Sequence, residues 1–261
     1  MNILCVGDIV GRTGRETVKK LLPEIKKEFS VDFSIVNAEN SAGGSGITTD
    51  IAQELFKNGC DVITSGDHIW DRPDIKSYLE ENSRILRPAN FPEGTPGKGF
   101  CVVETKGGVK VGVINLIGRV FMRYNVNCPF REAKSIIDKI KKETKIIIVD
   151  MHAETTSEKV AMGWFVDGEI SAVVGTHTHV PTADETVLPK GTAYITDLGM
   201  SGPHDSVIGQ NKDRILERFL NSMPSRFEVA IEDNRLNGVV IDIDEKTGKA
   251  RKIERIQKKL I

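Results

Sequence analysis

At 261 residues the chain is long enough to bury a large core, and at about 150 residues per domain it predicts one or two domains. Lys and Arg number 36 against 37 Asp and Glu, a formal charge of -1, so no overall positive field holds nucleic acid or an anionic membrane and any anion has to be gathered locally. Hydrophobic residues at 39% and charged residues at 28% exclude a largely disordered or fibrous chain.

The chain opens on a short apolar run with no basic leader and no small-residue cleavage site, which predicts a strand over 2–7 rather than a signal peptide. A helix follows from Thr13 to about Phe29. Val18, Leu21, Leu22 and Ile25 fall at helical spacing, Lys and Glu take the other face, and Pro23 is a point of distortion. Residues 33–36 form the second strand, and the glycine-rich loop Ser41-Ala-Gly-Gly-Ser-Gly46 leads to a helix that starts at Thr49-Asp50 and carries Ile51, Leu55 and Phe56. Residues 61–64 are the third strand. Runs at 100–105 and 109–116 flank Lys106-Gly-Gly108, a hairpin signal that implies a mixed sheet. A helix over 130–143 precedes strands at 146–149, 170–174 and 193–196, and 227–243 reads as paired strands. This alternation is that of an α/β layer fold, and with no linker or repeat the economical reading is one domain over 1–261. No apolar run approaches the roughly 20 residues of a membrane span, and Cys5, Cys60, Cys101 and Cys128 are scattered without metal or disulfide spacing. A soluble cytoplasmic protein with reduced thiols is expected.

The informative feature is the set of polar residues at the strand ends. Asp8 comes after the first strand, Glu39 and Asn40 after the second, Asp67 and His68 after the third, His152 after 146–149, and His177 and His179 after 170–174. Ligands of open α/β sheets bind at the carboxyl ends of strands, and carboxylates with imidazoles suit zinc, manganese and iron. Taken singly, each residue has an ordinary reading as a turn, a cap or a hydrogen-bonded pair. Five such strand ends together do not. In extended chain His177 and His179 would point to one side. His204, in the turn-rich Met200-Ser-Gly-Pro-His-Asp205, reads as a solvated side chain with substrate contact the alternative, and Lys19, Lys20, Lys26 and Lys27 as a solvated helix face. The glycine-rich loop matches no P-loop or dinucleotide fingerprint; a backbone approach to phosphate and a plain connector are equally open.

These blocks resemble the calcineurin-like metallophosphoesterases, and more closely the YmdB-like branch, over nearly the whole chain. The matching segments are Gly7-Asp-Ile-Val-Gly-Arg-Thr-Gly14, Asn37-Ala-Glu-Asn-Ser-Ala-Gly-Gly44, Gly66-Asp-His-Ile-Trp-Asp71, Arg87-Pro-Ala-Asn-Phe-Pro92, His152-Ala-Glu154 and Gly175-Thr-His-Thr-His-Val-Pro181. The resemblance implies a four-layer α/β/β/α sandwich with mixed sheets. It implies one metal on Asp8, Glu39, Asn40 and His179, a second on Glu39, Asp67, His152 and His177, and His68 as the catalytic acid. The ions implied are iron or manganese, with zinc a further option, and substrate-contacting residues are not defined. Val10 stands where the wider superfamily has a histidine, and Glu39 where it has a bridging Asp, both as in the branch. Asp67 is the sharper departure, standing where the family's GNH block has Asn. With two divalent ions, three carboxylates leave +1 and a bridging hydroxide brings this to 0, against +1 with Asn, so phosphate attraction is expected to weaken.

The function this implies is a dinuclear phosphodiesterase, in which a metal-bridging hydroxide attacks a 2′,3′-cyclic nucleotide or related RNA phosphodiester. Neither DNA nor a membrane is an expected partner, and a homo-oligomer is. Two rivals stay open: a metal-dependent hydrolase of amides or esters, and a weakly active regulatory module that binds cyclic nucleotide or RNA at the same site.

Overall fold

The computed structural model describes residues 1–224 and 228–261. In chain order its elements are β1 (Asn2–Val6), β2 (Asp8–Ile9), α1 (Gly11–Glu28), β3 (Phe33–Asn37), α2 (Thr49–Lys57), β4 (Val62–Thr64), α3 (Ile75–Glu81), β5 (Phe100–Glu104) and β6 (Lys110–Ile117). Then come α4 (Pro129–Ile140), β7 (Ile147–His152), α5 (Thr156–Phe165), β8 (Ala172–Thr176), β9 (Thr186–Val187), β10 (Ala193–Ile195), β11 (Met200–Pro203), α6 (Lys212–Asn221), β12 (Asn234–Ile243) and β13 (Ala250–Lys259).

Two mixed sheets result. One runs β2-β11-β12-β1-β3-β4, with β13 also paired to β12; the other runs β5-β6-β7-β8-β10-β9. Period-two alternation splits each strand between two cores. In β1, Ile3 and Cys5 meet Val111, Val113, Ile148 and Val174 between the sheets. Leu4 and Val6 face Val18, Leu22 and Ile25 of α1. The outer face of the second sheet packs Ile114, Leu116 and Val149 against Ile136 and Ile140 of α4. Helices, sheet, sheet and helices form the four layers. Each fully buried Leu or Ile contributes roughly 1.5–3 kcal/mol, so three such cores carry the stability.

Several boundaries differ from those expected, each for a local reason. α1 starts at Gly11, ahead of Thr13, and its cap residue Val10 offers no side-chain bond. Pro23 lies within α1 and is exposed, where the hydrogen bond it lacks faces solvent. α2 is capped instead by Thr48, whose hydroxyl accepts from the Ile51 amide at 3.3 Å. β7 runs on to His152, so that histidine ends a strand rather than following it. Part of the segment expected as a turn-rich loop is β11, a short strand parallel to β2. β12 pairs along its length with β13, a partner beyond the expected elements; of the expected run 227–243, residue 227 lies outside the described residues. α3, α5 and α6 likewise have no counterpart among the expected elements. The four cysteines are free. Among the described residues no helix is long and apolar enough to cross a membrane.

Candidate functional site

β1, β3, β4, β7 and β8 run parallel to a sheet neighbour, or lead directly into β2, and their carboxyl ends lie at one edge of the molecule. There the fold brings together Asp8, Glu39, Asn40, Asp67, His68, His152, His177 and His179. Ligand atoms of Glu39, Asp67, His152 and His177 all lie within 4.8 Å of one another, a group able to hold a divalent metal. His152 Nε2 is 3.1 Å from Glu39 Oε1 and 3.2 Å from Asp67 Oδ1, and His177 Nδ1 is 3.5 Å from Asp67 Oδ1. On the other side of Glu39, Asn40 Nδ2 is 3.2 Å from Glu39 Oε1 and 3.0 Å from His179 Nε2, which is itself 3.9 Å from Asp8 Oδ1.

Two observations fit this donor set to a cation. Asp8 is fully buried, and its Oδ1 has no hydrogen-bond partner among the described residues. A buried carboxylate oxygen in that state is costly unless a positive charge meets it. Gly66 lies so close that an added Cβ would come within 2.2 Å of His152 Nε2 and 2.3 Å of Glu39 Oε2, so only a residue without a side chain leaves the cradle open.

The protonation pattern follows from burial and from charge. Desolvation pushes the Asp8 carboxyl up to about 7, against the pull of His179 and His152. Burial also opposes ionisation of Glu39 and Asp67, but the His152 ring outweighs it and holds both below the usual carboxylate range. His152 is raised in return, its own burial being outweighed by Glu39 and Asp67. His177 falls to about 4 because it is buried beside His152.

Ring orientations are set by partners outside the donor set. Thr176 Oγ1 donates to Asp150 Oδ1 at 2.7 Å, so it can only accept from His152 Nδ1 at 2.9 Å, which leaves Nε2 to face the carboxylates. Asp150 is buried and takes further bonds from Thr64 at 2.5 Å and Asn37 at 3.1 Å. His179 Nδ1 donates to the Ile208 carbonyl at 2.9 Å, and His177 Nε2 to Glu154 at 3.1 Å. The expected extended His177-Thr178-His179 is not found: φ is +101° and +64° at the two histidines, and their rings serve opposite sides of Glu39. Asp197 holds this turn, accepting from the Thr178 amide at 3.1 Å and hydroxyl at 2.7 Å while pairing with fully buried Lys159 at 2.7 Å.

His68 stands at the rim. Its Nδ1 is 2.7 Å from Asp71 Oδ2, and Asp71 also takes bonds from Ser45 and, at 3.1 Å, from Arg123. Asp67 is only a distant neighbour, 3.9 Å from Nε2. Although burial lowers it, His68 is raised by Glu39, Asp67 and Asp71. The glycine-rich loop places Ser45 against Asp71 and is tied down by Arg72, which donates to the Ala42 carbonyl at 2.7 Å. His204 is not a solvated side chain: it donates from Nδ1 to Gly202 at 3.0 Å and accepts at Nε2 from Asn237 at 2.9 Å.

Asp71, Asp150, Lys159 and Asp197 are functional neighbours that the sequence alone did not single out. Asp197 follows β10, so the strand-end rule applied once more would have named it. Asp150 lies two residues before His152 in the same strand, hence on the same face. Of the converging groups, Glu39, Asn40, His68, His177 and His179 line a cleft of about 270 Å³ whose walls also include Val10, Gly44, Glu154, Thr178, Ile208 and Gln210.

The chain is 50% identical, over 98% of its length and 96% of the relative's, to the 2′,3′-cyclic-nucleotide 2′-phosphodiesterase of Bacillus subtilis. Two crystal structures superpose on it with TM-scores of 0.92. A Mycoplasma pneumoniae phosphatase is 36% identical, covering 99% of this chain and 93% of its own, and a hypothetical protein from Thermus thermophilus is 37% identical, covering 99% of both. The family model described as YmdB-like protein matches residues 4–256. A match of that extent, on a chain whose strand ends converge in this way, places the protein in the YmdB-like family.

Proposed function

We propose that this chain is a metal-dependent phosphodiesterase that opens 2′,3′-cyclic nucleotides, or related RNA-derived diesters, at the 2′ ester bond. The observation that carries the reading is the buried Asp8 Oδ1, without a hydrogen-bond partner among the described residues and 3.9 Å from Nε2 of His179, which lines the cleft together with Glu39, His68 and His177. Two ions are assigned, one to Asp8, Glu39, Asn40 and His179 and one to Glu39, Asp67, His152 and His177, with iron or manganese favoured over zinc. Such a pair, when bound, lowers the pKa of water and offsets charge on phosphoryl oxygens.

The chain's own residues supply the rest. His68, its Nδ1 held by Asp71, keeps a proton on Nε2 and delivers it to the departing 2′-oxygen. Asp150 and Thr176 hold His152 with Nε2 forward, and Ile208 does the same for His179. Among the described residues no Lys or Arg lines the cleft, while Glu39 and Glu154 do, which favours a singly charged diester over a doubly charged monoester. Free thiols, three of them buried, support a reducing cytoplasm. Exposed Phe219 and Leu220 on α6 support a homo-oligomer. The core between the sheets, which joins Ile3 to Ile241 and Ile253, supports one domain over 1–261.

Elemental analysis together with product identification tests the reading. The purified protein should hold close to two transition-metal ions per chain and convert adenosine 2′,3′-cyclic phosphate to adenosine 3′-monophosphate. Full hydrolytic activity in metal-free protein overturns it, and cleavage of amides or esters in place of the diester points to the rival hydrolase. Tight cyclic-nucleotide binding without turnover points to a regulatory module.

A further inference from the structure

The cleft is lined in part by Ile208 and Gln210, which belong to a turn whose chemistry is wrong for its geometry. Val207 and Gln210 exchange backbone bonds at 2.9 and 3.0 Å, leaving Ile208 and Gly209 as the two central residues with φ of +46° and +96°. Positive φ at both centres is the pattern of a type I′ turn, whose first central position favours Asn, Asp or Gly. Ile, branched at Cβ, is among the least suited residues there. Its side chain is also 46% exposed and borders the cleft. Backbone strain and an exposed aliphatic group are thus accepted at one position. The bond from His179 to the Ile208 carbonyl does not explain this, because Asn or Gly would present the same carbonyl with less strain.

Two residues on, Gln210 lines the same wall and its side-chain amide makes no hydrogen bond to a described residue. Together the pair offers an apolar face beside an unused donor and acceptor. Those are the two features a flat heterocycle with a polar edge requires.

We propose that Ile208 and Gln210 form the nucleobase subsite of the cleft, with the base packed on the Ile208 side chain and its polar edge on the Gln210 amide. The proposal rests on the phosphodiesterase reading for the identity of the substrate, but not for the existence of the subsite. The strained turn holds the isoleucine outward, where a relaxed residue would leave the base without a platform. The same loop orients His179, so base and phosphate are registered against each other by one short segment.

The test compares adenosine 2′,3′-cyclic phosphate with glycerol 1,2-cyclic phosphate, which lacks a base, on wild type, Ile208→Gly, Ile208→Leu and Gln210→Ala. Ile208→Gly should lower kcat/KM for the nucleotide at least about tenfold more than for the base-free diester, through KM, and Gln210→Ala should act in the same sense. Ile208→Leu, apolar but unbranched at Cβ, should restore the nucleotide KM to within about threefold of wild type. Equal losses on the two substrates would overturn the subsite and leave Ile208 as a support for His179 alone. Equilibrium titration with adenosine 3′-monophosphate separates this from the catalytic reading. Weaker binding by Ile208→Gly supports the subsite even if neither diester is hydrolysed, and unchanged binding rejects it.

Discussion

Asp67 brings a third carboxylate to a cluster that also holds Asp8 and Glu39, and it lies 3.2 Å from His152 and 3.5 Å from His177. Two rings therefore contact its one oxygen. A unit charge about 4 Å away is felt as several kcal/mol at an effective dielectric of about 20, so removing one from beside an anionic substrate is worth at least a tenfold change. Asp67→Asn, which keeps the oxygen ligand, should retain metal by elemental analysis and lower KM for a cyclic nucleotide by about tenfold. A large fall in metal content would show that the carboxylate itself is required. His68→Ala should keep its metal and lose turnover by about 10²–10⁴-fold on diesters with alkoxide leaving groups, and far less on nitrophenyl diesters, which need little protonation. Equal losses would remove His68 from the acid role. Asp71 was not legible beforehand as its partner, since a carboxylate three residues after a histidine in a loop has no fixed direction; only the turn at Gly66–Asp71 brings Oδ2 to Nδ1.

At the level of elements, the strand ends do the positioning and buried polar pairs hold them. The Lys159–Asp197 pair links α5 to the loop after β10, and through Thr178 to the turn that carries both histidines. Breaking one member of a buried pair costs about 3–5 kcal/mol because the other charge is left unmatched. Lys159→Met should therefore lower stability by about that amount in urea unfolding. Adding Asp197→Asn should recover part of the loss, and a double variant no more stable than the single one would show that charge is not the cause. His204, after β11, is neutral with one donor and one acceptor used, and burial lowers its pKa. A depressed imidazole contributes stability that is fully present above its unfolded pKa of about 6.5 and lost as pH falls through the folded value. The stability advantage of wild type over His204→Asn, which does not titrate, should shrink as pH drops below about 6.5, and a constant difference by thermal melts would refute the assignment. The sequence hinted at neither pair: Lys159 lies on a short helix with weak periodic signal, and His204 looks solvated until Asn237 arrives from β12.

Across the whole molecule, the donors come from both sheets, Asp8, Glu39 and Asp67 from the first and His152, His177 and His179 from the second. A cation held between them would therefore tie the two halves of the sandwich together. Ligand present at about 100 times its Kd stabilises the folded state by about 2.7 kcal/mol, which at this size is on the order of 5–10 °C in Tm. Adding manganese to chelator-treated protein should raise Tm by that amount, and a further round of chelator should reverse it. No shift on addition of manganese, iron or zinc would show that the cluster is held by hydrogen bonds alone.

What the amino-acid order determined by itself is local: which segments are strands or helices, and which strands end in a carboxylate or an imidazole. Those signals lie in hydrophobic period and in short blocks such as Gly66-Asp-His-Ile-Trp-Asp71, and both can be read without knowing what sits opposite. The tertiary structure decided what depends on direction and on partners far along the chain. It set the left-handed backbone at His177 and His179, the choice of Asp71 over Asp67 beside His68, and the relay from Asp150 through Thr176 to His152. It also set the placing of Ile208 against the cleft. A hydrogen bond is defined by distance and angle between groups, and residues 169 positions apart, as His177 and Asp8 are, acquire those only when the two sheets close on each other.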